Sequence, residues 1–193
     1  MEEIQAWNAF RKGDKLSFEK IFKDNIRILY KYGSRFTTDA ALVEDCIQEL
    51  FLDLWNKRDK IGDTDSVKRY LLGALRRRII RKLQQKTPLN SHVDTENYDF
   101  QLEANLEEIL INSEIQEEKK KKVNQAFEKL SKRQKEIIYL KYYQELSYKE
   151  IEEALGINYQ SVRNLLHNAL KAIKAVLPEI INTLIILFVN LFI

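Results

Sequence analysis

Residues 146–173 read Leu-Ser-Tyr-Lys-Glu-Ile-Glu-Glu-Ala-Leu-Gly-Ile-Asn-Tyr-Gln-Ser-Val-Arg-Asn-Leu-Leu-His-Asn-Ala-Leu-Lys-Ala-Ile. Val162, Leu165, Leu166, Ala169, Leu170 and Ile173 recur at three- and four-residue steps, the spacing of one buried helical stripe. Asn158 stands where an N-cap side chain would accept from a free backbone N–H. The preceding segment, about Tyr148 to Leu155, turns Ile151, Ala154 and Leu155 inward and Lys149, Glu150, Glu152 and Glu153 outward. Gly156 between them can take the left-handed conformation that ends a helix. Two short amphipathic helices around a glycine turn make a helix-turn-helix. The outer face of the second helix carries Gln160, Arg163, Asn164, His167 and Lys171, side chains that hydrogen-bond base edges and phosphates in a major groove. An ordinary two-helix hairpin with a solvated polar face is the plainer alternative.

The chain has 193 residues, enough for one large or two small domains. Its formal net charge of +3 conceals a segregated pattern. From Lys68 to Lys86 the charged residues are Lys68, Arg69, Arg76, Arg77, Arg78, Arg81, Lys82 and Lys86, without an acid. From Asp94 to Glu118 every charged residue is acidic. The basic run shares a helix with an apolar stripe (Leu72, Leu75, Ile79, Leu83), and nucleic-acid backbone is its natural counter-charge.

Cys46 is alone, so no disulfide forms within the chain, and a reducing compartment fits. His92 and His167 are too few and too distant for a metal site. No phosphate-cradling glycine loop and no Ser/His/Asp or Cys/His grouping points to catalysis, so neither a catalytic residue nor a cofactor is expected. Two prolines and five glycines leave little punctuation for a sheet. The expectation is an all-α protein of two small helical domains joined by an acidic linker, the second domain containing the helix-turn-helix. The boundaries read as 1–86, 87–112 (linker, with weak helix near 103–110), 113–176, and a hydrophobic tail at 177–193.

In the first domain, Phe18, Ile21, Phe22, Ile26, Leu29 and Tyr30 form one stripe. Thr38 or Asp39 caps a helix reaching about Trp55, with Leu42, Cys46, Ile47, Leu50, Phe51 and Leu54 inward. A loop at 57–65 precedes the basic helix, about 66–85, which Pro88 ends. In the second domain, Val123, Ala126, Phe127 and Leu130 mark one helix, and Ile137, Ile138, Leu140 and Tyr143 another. The N-terminus reads as lacking a signal peptide. The tail's residues 180–193 would span roughly 21 Å as helix, short of the roughly 30 Å bilayer core. It reads as a segment that docks in a groove of this chain or a partner, with transient membrane contact as the alternative.

At Asp45-Cys-Ile-Gln-Glu-Leu-Phe-Leu-Asp-Leu-Trp55 a second motif appears. Asp-x-x-Gln-x-x-Phe-x-x-x-Trp on a helix resembles region two of bacterial sigma factors, and Leu130-Ser-Lys-Arg-Gln134 through Ala169 resembles region four. Both together, joined by a short acidic linker, resemble the extracytoplasmic-function (ECF) group, over residues of about 8 to 174. The wording of residues 157–166 is similar to versions common in Bacteroidetes.

The resemblance implies a cytoplasmic sigma factor that binds core RNA polymerase and directs it to promoter DNA, both duplex and melted non-template strand. It implies polymerase binding by Asp45, Gln48, Glu49, Phe51, Leu52 and Trp55, with plain core packing equally open for Trp55. Minus-ten DNA binding falls to Lys60, Asp63, Lys68, Arg69, Arg76, Arg77, Arg78, Arg81 and Lys82, with a flipped base taken into a loop pocket. Minus-thirty-five binding falls to Tyr159, Gln160, Ser161, Arg163, Asn164, His167 and Lys171. Tyr70 stands where the family usually has tryptophan, supporting the pocket or filling the core. Arg77 and Arg81 stand where Asn and Asp are frequent, and Leu165 and Asn168 replace common arginines. The less basic reading face implies a weak promoter grip alone or help from a recruiting protein, such as an RNA-guided DNA-binding complex. An anti-sigma factor is another candidate partner. The alternatives are a stand-alone helix-turn-helix regulator and an adaptor recruited through its hydrophobic tail.

Overall fold

In the computed structural model the described residues are 2–85, 98–102 and 124–176, and every regular element among them is helical. Val123, the expected weak helix near 103–110 and the hydrophobic tail lie outside them. The described residues up to Phe100, together with Leu146–Tyr159, form one compact unit. Those from Gln101 to Glu145 and from Gln160 onward form the other.

The first unit begins with α1 (Glu2–Arg11), which the sequence pattern did not single out. It exists because Ala6, Trp7 and Phe10 share one face, and both aromatic rings are wholly buried. Trp7 meets Tyr70 edge-on at 5.0 Å and donates its indole N–H to the Gly62 carbonyl at 3.2 Å. That contact ties the 57–65 loop to the core and sets the half-buried Tyr70 ring against Trp7, its phenol pushed up by burial.

Helix α2 (Lys15–Gly33) is capped by Asp14, which accepts from the Ser17 N–H at 2.9 Å. Of its expected stripe, Ile21 and Leu29 are buried, whereas Phe22 and Tyr30 stay more than a third exposed. Helix α3 (Ala40–Asn56) is capped by Asp39, accepting from Leu42 N at 3.0 Å, and buries all six positions expected inward. Gly33 lets these two helices cross closely, since a Cβ there would lie 2.6 Å from Val43 Cγ1.

Helix α4 (Val67–Gln85) packs on α1, α2 and α3 through Val67, Leu71, Leu72, Leu75, Ile79 and Ile80. Residues 98–100, within the expected linker, return to this unit. Phe100 is wholly buried and Tyr98 nearly so, against Phe36 at 5.0 and 5.4 Å. The compact unit therefore extends beyond the boundary read at residue 86.

In the second unit, Ala126, Phe127 and Leu130 are buried ahead of α5 (Lys132–Ile138). Ser131 and Gln134 form a reciprocal capping box at its start. Helix α5 runs on into a π turn, Tyr139–Tyr143, with the rings of Tyr139 and Tyr143 stacked at 5.4 Å. Helix α6 (Tyr148–Leu155), which falls in the first unit, opens with a second capping box, Ser147 with Glu150, and Gly156 ends it at φ 66° and ψ 37°. That left-handed geometry penalises any residue with a Cβ. Helix α7 (Tyr159–Val176) follows.

Candidate nucleic-acid interface and docking groove

Three surfaces collect the residues singled out by sequence. The first is an apolar groove of about 560 Å³ on α2 and α3, lined by Lys15, Phe18, Phe22, Gln48, Phe51, Leu52 and Trp55. Phe51 forms its floor, with Phe22 edge-on at 4.9 Å and Phe18 at 5.9 Å. Trp55 lies 5.1 Å from Phe18 and carries the Arg58 guanidinium over its other face at 4.7 Å. It is thus both packed and part of the groove wall. Leu52 is 64% exposed on the rim, an unusual position for a leucine between buried Phe51 and Leu54.

Gln48 and Leu52, one turn apart, face this groove, and Asp45 is exposed on the same helix. Glu49 does not join them. One residue further round the helix, it faces α4 and accepts from Arg78 Nη1 at 3.1 Å and Lys82 Nζ at 2.6 Å. Asp53, which the sequence reading missed, accepts from Arg78 Nη2 at 2.5 Å. Hydrogen bonding from Lys82 holds the Glu49 carboxyl below the usual carboxylate range, and bonding from Arg78 does the same for Asp53.

The basic helix consequently does not present one uniform face. Arg78 and Lys82 are half-buried and turned toward α3, where they serve Glu49 and Asp53. Arg76 is 7% exposed, and its guanidinium lies 5.1 Å from the Tyr98 ring. Arg77 and Arg81 face solvent, and Lys68 is half-buried. Arg69 is largely enclosed, with Nη1 at 2.7 Å from Asp65 and 2.5 Å from Glu153 and Nη2 donating to Thr64 Oγ1 at 3.0 Å. Lys60 and Asp63 are exposed on the 57–65 loop, and Asp63 pairs with Arg11. A pocket of about 320 Å³ opens here, lined by Asn8, Arg11, Lys12, Arg58, Asp59 and Asp63. Arg11 and Asn8 were missed because α1 was.

The third surface is on α7. Gln160, Arg163, Asn164, His167 and Lys171 are all exposed, and Val162, Leu166, Ala169 and Ile173 are buried opposite. Leu165 is half-buried, while Leu170, expected in the core, is 38% exposed. Gln160 donates to Asn164 Oδ1 at 3.0 Å, which aligns two amide groups along the face. Tyr159 is exposed at its start, 5.9 Å from the Tyr148 ring, and Ser161 is half-buried. The helix carries no acid, so nothing on it repels a phosphate. Among the described residues no group of side chains could hold a metal ion, and no helix is long and apolar enough to cross a membrane.

An apolar groove on α2 and α3, a basic α4 and an acid-free helix following a glycine turn are the features a protein that brings a partner to DNA would need. Comparison with known proteins gives the family. Residues 21–88 match the sigma-70 region 2 model and residues 120–173 the sigma-70 region 4 model. The ECF RNA polymerase sigma factor SigL of Mycobacterium tuberculosis is 29% identical over 174 residues, covering 83% of this chain and 88% of that protein. The ECF RNA polymerase sigma factor SigK of Mycobacterium ulcerans is 22% identical over 170 residues, covering 84% and 87%. Among solved structures, CnrH in complex with the cytosolic domain of CnrY shares the fold with a TM-score of 0.59 at 16% identity, over 91% of this chain and 97% of that one. RpoE of Bartonella quintana, solved with the anti-sigma factor NepR, shares it at 0.52 and 17% identity, over 84% and 97%. The chain belongs to the sigma-70 family, whose regions 2 and 4 together match most of it, and it is similar to ECF RNA polymerase sigma factors. It acts by directing RNA polymerase to promoters for transcription initiation, and it is not itself a catalyst.

Proposed function

We propose a division of that activity among the three surfaces. The α2–α3 groove, with Gln48, Phe51, Leu52 and Trp55 and with Asp45 beside it, receives core polymerase. Helix α4, through Lys68, Arg77 and Arg81, and the 57–65 loop, through Lys60, bind the melted minus-ten strand. The α7 face, through Tyr159, Gln160, Ser161, Arg163, Asn164, His167 and Lys171, reads the minus-thirty-five element in duplex DNA. Residues 1–86 and 113–176 are accordingly the two working regions, with 87–112 between them.

The observation that carries this reading is Leu52, exposed beside Phe22, Phe51 and Trp55. A rim leucine over an aromatic floor contributes little to this chain's own core and much to a partner that covers it. Leu52→Glu should cut co-purification with core polymerase by on the order of tenfold or more while leaving helicity and Tm unchanged. Wild-type yield of the complex would remove the groove from the docking surface.

The Bartonella quintana relative was solved with an anti-sigma factor, and the same class of inhibitor is proposed here. A cytoplasmic location follows from the need to reach polymerase, and residues 157–166 favour a Bacteroidetes-like member of the family.

A further inference from the structure

The outer face of α7 begins with two neutral amides. Gln160 and Asn164 are both exposed, and Gln160 Nε2 donates to Asn164 Oδ1 at 3.0 Å. Residues four apart on a helix lie one above the other, so the pair runs along the face. Their hydrogen bond fixes a choice that a free glutamine side chain leaves open. With one Nε2 hydrogen engaged by Asn164, the Gln160 amide presents Oε1, an acceptor, and its remaining N–H, a donor. No acid on the helix competes for that donor.

An acceptor beside a donor has one complement among the base edges of a major groove. Adenine offers N7 as acceptor and N6–H as donor, whereas guanine offers two acceptors, cytosine a donor, and thymine an acceptor and a methyl group. Guanine opposite Gln160 would set Oε1 against O6 with no proton between them, leaving two desolvated acceptors unpaired. We propose that Gln160 selects an adenine in the upstream element and that Asn164 is the positioning residue that holds its amide for that contact. The inference rests on the reading of α7 as the minus-thirty-five helix and adds which base it takes and by which atoms. Ordering the long Gln160 side chain before DNA arrives removes an entropic cost that would otherwise weaken the complex.

The test exposes the full chain, at low salt, to duplex DNA randomised across the upstream element, and sequences what is retained. Wild type should enrich adenine at one position by roughly tenfold over the other bases, and Gln160→Ala should abolish that preference there while selection elsewhere persists. Replacing that adenine by 7-deazaadenine, which lacks the N7 acceptor, should weaken wild type several-fold and leave Gln160→Ala unmoved. Asn164→Asp keeps an acceptor for Gln160 Nε2, so it should keep the adenine preference although its charge lowers affinity for every duplex. Asn164→Ala should relax the preference, and Gln160→Glu, an acceptor alone, should move it to cytosine. Guanine at the Gln160-dependent position, no position that depends on Gln160, or an Asn164→Ala preference equal to wild type overturns the proposal and leaves α7 as the DNA-binding helix. Retention of duplex DNA indifferent to Arg163→Ala/Lys171→Ala removes the minus-thirty-five reading, and the adenine assignment falls with it.

Discussion

Arg78 of α4 donates from Nη2 to Asp53 of α3 at 2.5 Å, and from Nη1 to Glu49 one turn away. With Lys82 on Glu49 this makes a two-by-two clasp, each helix contributing residues four apart. The clasp stabilises the stack that carries both the docking groove and the basic helix.

The clasp has a pH signature. Both carboxyls are held below their ordinary range, so each contributes stability that is present above its unfolded pKa and lost as pH falls through its folded one. The acids are nearly half exposed, which limits the whole clasp to about 1 kcal/mol. Tm should therefore fall from about pH 5 downward, and Glu49→Gln/Asp53→Asn should flatten that part of the profile. A double variant with the wild-type slope would assign the acid sensitivity elsewhere.

Phe100 offers a larger effect. It is wholly buried among Tyr32 and Phe36, at 6.0 and 5.0 Å. Phe100→Ala should cost about 3–5 kcal/mol in chemical denaturation. A loss under about 1 kcal/mol would mean that the site collapses around the missing ring and that the anchor is dispensable.

The two classes of α4 cation should separate in salt titrations of binding to a melted promoter strand. Arg77→Ala or Arg81→Ala should each weaken affinity and lower the salt slope by about one phosphate equivalent. Arg78→Ala, whose guanidinium already serves Glu49 and Asp53, should leave the slope unchanged. Equal slopes for all three would show that the clasp opens on DNA.

This separation was not legible in the sequence, although most of the fold was. Helix existence, the Asp39 cap, the α3 core and the Gly156 turn all follow from local periodicity and capping chemistry, which α3 and α6 obey residue by residue. The direction of each arginine depends on how wide the buried arc of α4 is. At 3.6 residues per turn Arg76 falls between Leu72 and Ile80, inside an arc that α2, α3 and residue Tyr98 all cover. A stripe drawn through Leu72, Leu75, Ile79 and Leu83 alone is too narrow to enclose it. The matched four-residue spacing of Glu49/Asp53 and Arg78/Lys82 was a usable signal for the clasp. Tyr98 and Phe100 looked like linker because their partners, Tyr32 and Phe36, are more than sixty residues away. Trp7 was missed because α1 offers only Ala6, Trp7 and Phe10 as a pattern, too short to establish a period.

The α7 face leads to the last prediction. Arg163 and Asn164 stand exposed one turn after Tyr159 and Gln160, on the N-terminal half of the helix, the part that a helix-turn-helix inserts deepest into the major groove. A guanidinium there reads guanine through paired hydrogen bonds, and a wrong base leaves it desolvated without a partner. Arg163→Ala should therefore cost about 1–3 kcal/mol of discrimination between promoters differing in the minus-thirty-five element, with a smaller loss of overall affinity. Lys171, two turns further along, should behave oppositely: Lys171→Ala weakens binding evenly across sequences, as loss of a phosphate contact does. Competition titrations over a library of upstream elements distinguish the two. If both variants lose affinity uniformly with unchanged preference, α7 grips the backbone only, and base selection comes from another part of the chain.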